Sequence, residues 1–295
     1  MQRKTQKLQF FVNQLAGDSA LSAYFYYRNS SHAEITIREI FQKTFKIYHV
    51  PEIIEDLCVL KNNLLVAACS SKIVIYTELF QEIKSINCIN DQNLDSSCSV
   101  DVNDLDQVYI CNYNYKTNNS QIFLMDNQLN YIKHFDYRGR LKCIRYKNGY
   151  VYAGETVRRK MITLDKNLEP LSSKRLSHTP FSFTISDDDT ICIRCVKYDK
   201  INMRYQTILS FYSTTSLDFK TEGIYTNGFY TETEFSTFFY ALNSKQMTLR
   251  IFNWNGVFIE MINLTGFQNF EFVTVFKCLN GKFYMIGTNG VIKVY

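Results

Sequence analysis

Past residue 50 the chain alternates, with little relief, between short apolar runs and polar turns. The first stretch reads Ile53–Ile86, "IIEDLCVL-KNN-LLVAAC-SSK-IVIYTELFQEIKSI": apolar run, turn, apolar run, turn, apolar run, turn, polar-edged run. The runs are short, rich in Val, Ile, Tyr and Phe, and bounded by Asn, Asp, Ser and Gly, which predicts strands rather than helices. The last residues, "NGKFYMIGTNGVIKVY" (Asn280–Tyr295), read as one more hairpin, Lys282–Gly287 and Val291–Tyr295 about a Thr-Asn-Gly turn. A terminal strand with nothing beyond it leaves an unpaired edge, so the pattern raises the question of its partner.

The four-strand pattern recurs. Units run over Cys98–Asp136, Leu141–Leu176, Phe181 to about Tyr225, and about Phe229 to Leu264, and a sixth begins near Phe270 and stops after three strands. A period of about 40–45 residues with four strands each is the mark of propeller blades. The third-to-fourth turn repeats most faithfully ("IYTELFQEI", "FLMDNQLNYI", "ITLDKNLEPL", "RIFNWNGVFIEM"), and small residues recur in the second strand at Ala67-Ala68, Ala153-Gly154 and Ala241. Ahead of the first unit, "FQKTFKIYHV" (Phe41–Val50) resembles the fourth strands "QEIKSI" and "YIKHFD". The sequence therefore predicts an all-β fold, a six-bladed β-propeller over 41–295, in which Lys43–Val50 pairs with Val291–Tyr295 and closes the ring. Residues 1–40 form a separate extension, partly helical: Leu8, Phe11, Val12 and Leu15 fall at i, i+3, i+4 and i+7.

Composition supports this picture: 23 Phe and 21 Tyr suit strands, and 46% hydrophobic residues suffice for a core. No apolar run reaches the length of a membrane-spanning helix, and the N-terminal residues make a poor signal peptide. Nine cysteines, most within apolar strands, read as small core residues of a reducing, cytoplasmic setting. The Cys192–Cys195 pair has CxxC spacing, but on a strand its thiols diverge. "SDDDT" (Ser186–Thr190) reads as an Asp-rich turn rather than a calcium loop. No P-loop, nucleophile elbow or His-Glu-x-x-His occurs, so no cofactor, metal or catalytic residue is assigned.

The stretches "VYICNYNYKTNNSQIFLMDNQLNYIKHF" and "MTLRIFNWNGVFIEM" resemble NHL-repeat propellers, as at the C-terminus of tripartite-motif proteins, over about Phe41–Tyr295; the Asn-His-Leu signature itself is absent. The resemblance implies protein interaction and, in some members, single-stranded RNA binding on one face.

Charge sharpens that implication. The net formal charge is +5, but blade topology sorts it. Second-to-third turns and between-blade loops share one face, and they carry Lys72, Lys116, Arg158, Arg159, Lys160, Lys200, Arg204 and Lys245 against Asp199, with Arg138 and Arg140 in "DYRGR". The opposite face carries Asp104, Asp106, Asp126, Asp165, Glu169, Asp187, Asp188, Asp189, Asp218, Glu232 and Glu234. Tyr115, Tyr198 and Tyr205 flank the basic turns and offer stacking surfaces. The expectation is a non-enzymatic interaction module that binds an acidic protein segment or single-stranded RNA on its basic face, without membrane contact. Two alternatives stand beside it: a metal-dependent lactonase- or hydrolase-like enzyme using channel carboxylates Asp56, Asp101 and Glu155, and a plain assembly scaffold.

Overall fold

A computed structural model describes residues 45–89, 92–94, 97–186, 189–199, 204–214, 216–225, 230–235, 238–243, 247–255, 257–264, 273–280 and 282–295. Among them every regular element is a β-strand. The expected N-terminal helix lies outside the described residues.

Six four-stranded antiparallel sheets form. Blade one comprises Ile54–Val59, Leu65–Cys69, Lys72–Tyr76 and Glu82–Ile86; blade two, Ser97–Val102, Val108–Asn114, Asn119–Met125 and Tyr131–Tyr137. Blade three comprises Leu141–Lys147, Tyr150–Glu155, Lys160–Asp165 and Pro170–Arg175; blade four, Thr179–Ile185, Thr190–Asp199, Arg204–Ser213 and Phe219–Tyr225. Blade five comprises Tyr230–Phe235, Phe238–Asn243, Thr248–Asn253 and Phe258–Asn263. Blade six takes Val273–Leu279, Lys282–Gly287 and Val291–Val294 from the chain's end and Lys46–His49 from its beginning. The first strands touch one another in a closed cycle, blade one through blade six and back to one, so they surround the central channel.

The predicted closure is present: Lys46 pairs with Val294, Ile47 with Lys293, Tyr48 with Ile292 and His49 with Val291. Lys43 and Thr44, at the start of the predicted strand, lie outside the described residues. Gly290 explains the tight turn before the seam. Its φ is +72°, its carbonyl accepts from Val50 N at 3.0 Å, and a Cβ there would stand 2.1 Å from the Val50 carbonyl oxygen. Only glycine fits.

The core is divided among the blade interfaces. Six apolar clusters occur, one at each junction; that between blades one and six holds Leu57, Val74, Tyr284 and Ile292, for example, and that between two and three Tyr109, Ile122, Leu141 and Val151. The small second-strand residues serve these junctions rather than the axis: a Cβ on Gly154 would meet Cys143 Sγ at 2.8 Å and the Phe183 ring at 3.5 Å. Cys192 joins the cluster between blades four and five and Cys195 the one between three and four, so the CxxC thiols do face opposite ways. Among the described cysteines no disulfide forms.

The best-repeated turn has a physical basis. Asp126 Oδ1 accepts from Gln128 N and Asn130 N, and Asp165 Oδ1 from Asn167 N and Glu169 N, each at 2.8 Å; Thr77 Oγ1 and Asn253 Oδ1 do the same in their blades. Three residues after the capping position in the first three blades comes an apolar residue with positive φ, Phe80, Leu129 or Leu168, and Leu217 occupies the like place in blade four. A left-handed L-residue costs about 1–2 kcal/mol. These side chains are buried in the junction with the preceding blade, which offsets the strain.

Two bulges also recur. The first strand carries an extra residue in five blades, at Glu55, Cys98, Lys142, Phe181 and Thr274. The outer strand carries one at Ile83, Ile132, Leu171, Lys220 and Ile259, which interrupts the exposed edge. Blade four departs from the pattern: Lys197–Asp199 pair with Arg204–Gln206 beyond the last pairing of the blade's first strand. This two-stranded extension projects by roughly 10 Å at about 3.3 Å per residue.

Candidate functional site

The turns that close the second hairpins of blades two and three, and the loop between those blades, lie side by side. In blade two, Asn114 Oδ1 accepts from Lys116 N at 3.0 Å and Thr117 N at 2.9 Å, which holds Tyr115 and Lys116 outward. In the loop, Gly139 lets the chain pass where a Cβ would stand 2.9 Å from the Tyr137 ring, and Ser120 Oγ donates to its carbonyl at 2.8 Å. In blade three the buried Glu155 carboxylate caps the turn, accepting from Val157 N at 3.2 Å and Arg158 N at 2.5 Å. Thr156 N donates to Arg140 O, and Leu176 N to Arg159 O, tying the turn to loops on both sides.

These frameworks bring together Tyr115, Lys116, Arg138, Arg140, Arg158, Arg159 and Lys160. The Arg140 guanidinium lies 5.2 Å from the Tyr113 ring and 5.7 Å from the Tyr115 ring, and the two rings meet edge to face at 4.8 Å. The Arg158 side chain lies near the Tyr137 hydroxyl. Tyr115 is 58% and Val157 70% exposed, and Lys116, Arg138, Arg158 and Arg159 are exposed as well. Among the described residues no carboxylate forms an ion pair with any of the six basic side chains. Arg175, opposite Lys160 in the sheet and also exposed, extends the patch; sequence inspection passes over it because it sits inside an outer strand rather than in a turn.

Other expected members of the face fall differently. Lys72 opens a strand and is neutralised by Glu52 at 2.6 Å and Glu82 at 3.6 Å. Arg204 stands on the projecting hairpin of blade four, apart from the cluster in sequence and fold. Lys200 and Lys245 lie outside the described residues. On the opposite face, Asp126 and Asp165 cap their own turns, Glu169 and Asp218 clasp Lys133 at 2.8 Å and Lys174 at 2.7 Å, and Asp106 accepts from Lys61 N. Glu232 and Glu234 belong to a first strand, not a turn. Asp187 and Asp188 lie outside the described residues; Asp106, Asp126, Asp165, Glu169 and Asp218 are committed to structure, while among the described residues the basic patch has no ion pair.

Of the three carboxylates considered for an enzyme, Asp56 and Asp101 both lie near Arg145 and Lys277, and Glu155 stands elsewhere. Glu155 caps a turn, as above. Asp56 lies in the first strand of blade one, not in a turn, and is buried. It pairs with Arg145 at 2.9 Å and Lys277 at 2.5 Å, and accepts from Ser99 Oγ at 2.6 Å and Val100 N at 3.2 Å. Burial alone would raise its pKa; the Arg145 and Lys277 charges outweigh burial and hold it well below the usual carboxylate range. Asp101 accepts from Tyr146 N at 2.7 Å and Val102 N at 3.0 Å, and burial shifts its pKa upward. Among the described residues no group of His, Cys, Asp and Glu could hold a metal ion.

The class these features define is the β-propeller, and solved structures bear that out. The chain is similar to BamB from Moraxella catarrhalis (TM-score 0.53, 13% identity, 84% of each chain covered). It is similar as well to the Swd1 β-propeller domain of Myceliophteria thermophila (0.55, 9%, 85% of this chain and 99% of that one). The WD40 domain of Neurospora crassa Pan2 gives 0.57 at 8% identity, over 82% of this chain and 74% of that one. At such identities the likeness is one of fold. No protein-family model and no curated protein matches the sequence.

Proposed function

We propose that the chain is a non-enzymatic propeller interaction module whose basic patch on blades two and three docks an acidic protein segment. One observation carries this reading: six basic side chains converge on one face with no described carboxylate paired to them, whereas opposite them Asp126 and Asp165 cap turns and Glu169 and Asp218 clasp lysines. A patch of one sign attracts and orients a segment of the other and speeds encounter. The NHL-like character of the sequence points the same way, and among the similar folds BBS1N was solved in complex with ARL6DN. Arg140 already occupies faces of both Tyr113 and Tyr115, which leaves less aromatic surface for base stacking and favours a peptide over single-stranded RNA. The committed carboxylates of Asp56, Asp101 and Glu155 argue against the channel enzyme. We place the protein in a reducing, cytoplasmic compartment on its buried thiols.

Fluorescence anisotropy tests this with an Asp/Glu-rich peptide and a U-rich oligoribonucleotide at two salt concentrations. The peptide should bind, more weakly as salt rises. Arg158→Glu/Arg159→Glu/Lys160→Glu should weaken it at least about tenfold, or about 1.4 kcal/mol, with an unchanged unfolding midpoint. Equal binding by parent and variant overturns the reading; binding of the RNA alone, lost in the variant, moves the partner class to nucleic acid.

A further inference from the structure

Left-handed backbone at residues other than glycine falls into two kinds in this chain, with one exception. Asn63, Asp106, Asn118, Asn148, Asp189 and Asn280 have short polar side chains that tolerate a positive φ. Phe80, Leu129, Leu168, Leu217 and Met247 are apolar and pack against the junction clusters, so burial offsets their strain. Arg159, at φ +56°, is of neither kind: its side chain is long, charged and exposed. A bulky residue held in this region without compensation is an outlier, and such strain collects at ligand clamps.

The turn demands the conformation but not the arginine. Blades two and three close their second hairpins in the same way. Asn114 accepts from Lys116 N and Thr117 N, and Glu155 from Val157 N and Arg158 N. The next residue is left-handed in both, Asn118 at φ +57° and Arg159 at +56°. Blade two thus fills the strained place with asparagine. In blade three the backbone is pinned there, because Arg159 O accepts from Leu176 N and the capping Glu155 is buried. Among the described residues the Arg159 guanidinium makes no ion pair. The chain therefore keeps an exposed arginine where asparagine would suit the fold better.

We propose that Arg159 is the binding anchor of the basic patch, retained on strained backbone because its guanidinium grips a carboxylate of the docked acidic segment. This rests on the reading of the patch given above and assigns the decisive contact to one residue. A guanidinium is a rigid fork that takes a carboxylate through two parallel hydrogen bonds, so one well-placed arginine outweighs neighbours that act as diffuse charge.

Arg159→Asn removes the fork, relieves the strain and leaves every backbone bond of the turn in place. It should raise the thermal unfolding midpoint by about 1–4 °C. In fluorescence anisotropy it should weaken binding of an Asp/Glu-rich peptide by about tenfold or more. Arg138, a cation of the same patch, stands outside the left-handed set. Arg138→Asn should leave the midpoint unchanged and weaken the peptide by no more than about threefold. A midpoint that does not rise in Arg159→Asn, or equal losses of binding in the two variants, overturns the proposal. So does undiminished binding by Arg159→Asn when the Arg158→Glu/Arg159→Glu/Lys160→Glu protein has lost the peptide; the patch then docks the segment without Arg159 as its anchor. A parent protein that binds no peptide overturns the reading of the patch and this proposal together.

Discussion

Asp56 shows how much one side chain can hold. Its oxygens join blade one to blade two through Ser99 and Val100, to blade three through Arg145 and to blade six through Lys277. Removing one partner of a buried ion pair leaves the other charge uncompensated, at a cost of about 3–5 kcal/mol. Asp56→Asn should therefore lower stability by that order at pH 7 in urea unfolding. The sign with pH follows from the lowered pKa. A carboxylate depressed in the folded state stabilises above its unfolded value of 3.8, and that contribution is lost as pH falls below it. The gap between parent and Asp56→Asn should shrink by about 1 kcal/mol between pH 7 and pH 3. An unchanged gap would mean that Asp56 is not the ionised centre of the network. Little of this is legible in the sequence. Asp56 reads as a polar residue near a turn, and its partners lie 89 and 221 positions away on other blades; nothing local in the chain signals their meeting.

At the scale of strands and turns the sequence is more eloquent. The Asp-x-x-Leu turns repeat because cap, left-handed apolar plug and hairpin length are set within five residues, and local chemistry of that kind is visible in a single chain. The bulges are invisible for the converse reason: an inserted residue such as Lys142 or Glu55 looks like one more member of an alternating strand, and only the register reveals that it has changed face. The ten-residue strands of blade four escape notice likewise, since Tyr, Lys and Arg suit strand and loop alike. The basic patch falls between these cases. Its turn residues follow from topology, while the Arg140–tyrosine contacts and Arg175 needed the fold. Gly290 offers the sharpest test of an element. Gly290→Ala sets a methyl against the Val50 carbonyl and places alanine at φ +72°, so stability should fall by about 1–3 kcal/mol, measured as a lower denaturant midpoint with the slope unchanged. A neutral result would show that the turn relaxes away from the seam.

The molecule as a whole is a ring of six junctions, each with its own apolar cluster. Deleting residues 45–50 removes the outer strand of blade six and bares the edge of Val291–Val294. The truncated chain should aggregate or associate through that edge, seen as a loss of the monomer peak in size-exclusion chromatography with light scattering. A monomeric, stable truncation would mean the seam contributes little to closure. The periodicity foretold this architecture because propeller modules are similar enough to be aligned, and the missing fourth strand of the last unit could be matched to the segment before the first.

That seam also sets a schedule for biosynthesis. The segments it joins, Lys46 and Val294 at its outer pair, emerge from a ribosome about 250 residues apart, which at about 5–20 residues per second is roughly 12–50 s. Through that interval blades can form one after another, yet the strand made earliest must wait with its hydrogen-bonding edge unclaimed. A nascent chain of this protein therefore has a built-in window in which chaperone engagement would decide between ring closure and capture by a neighbouring polypeptide.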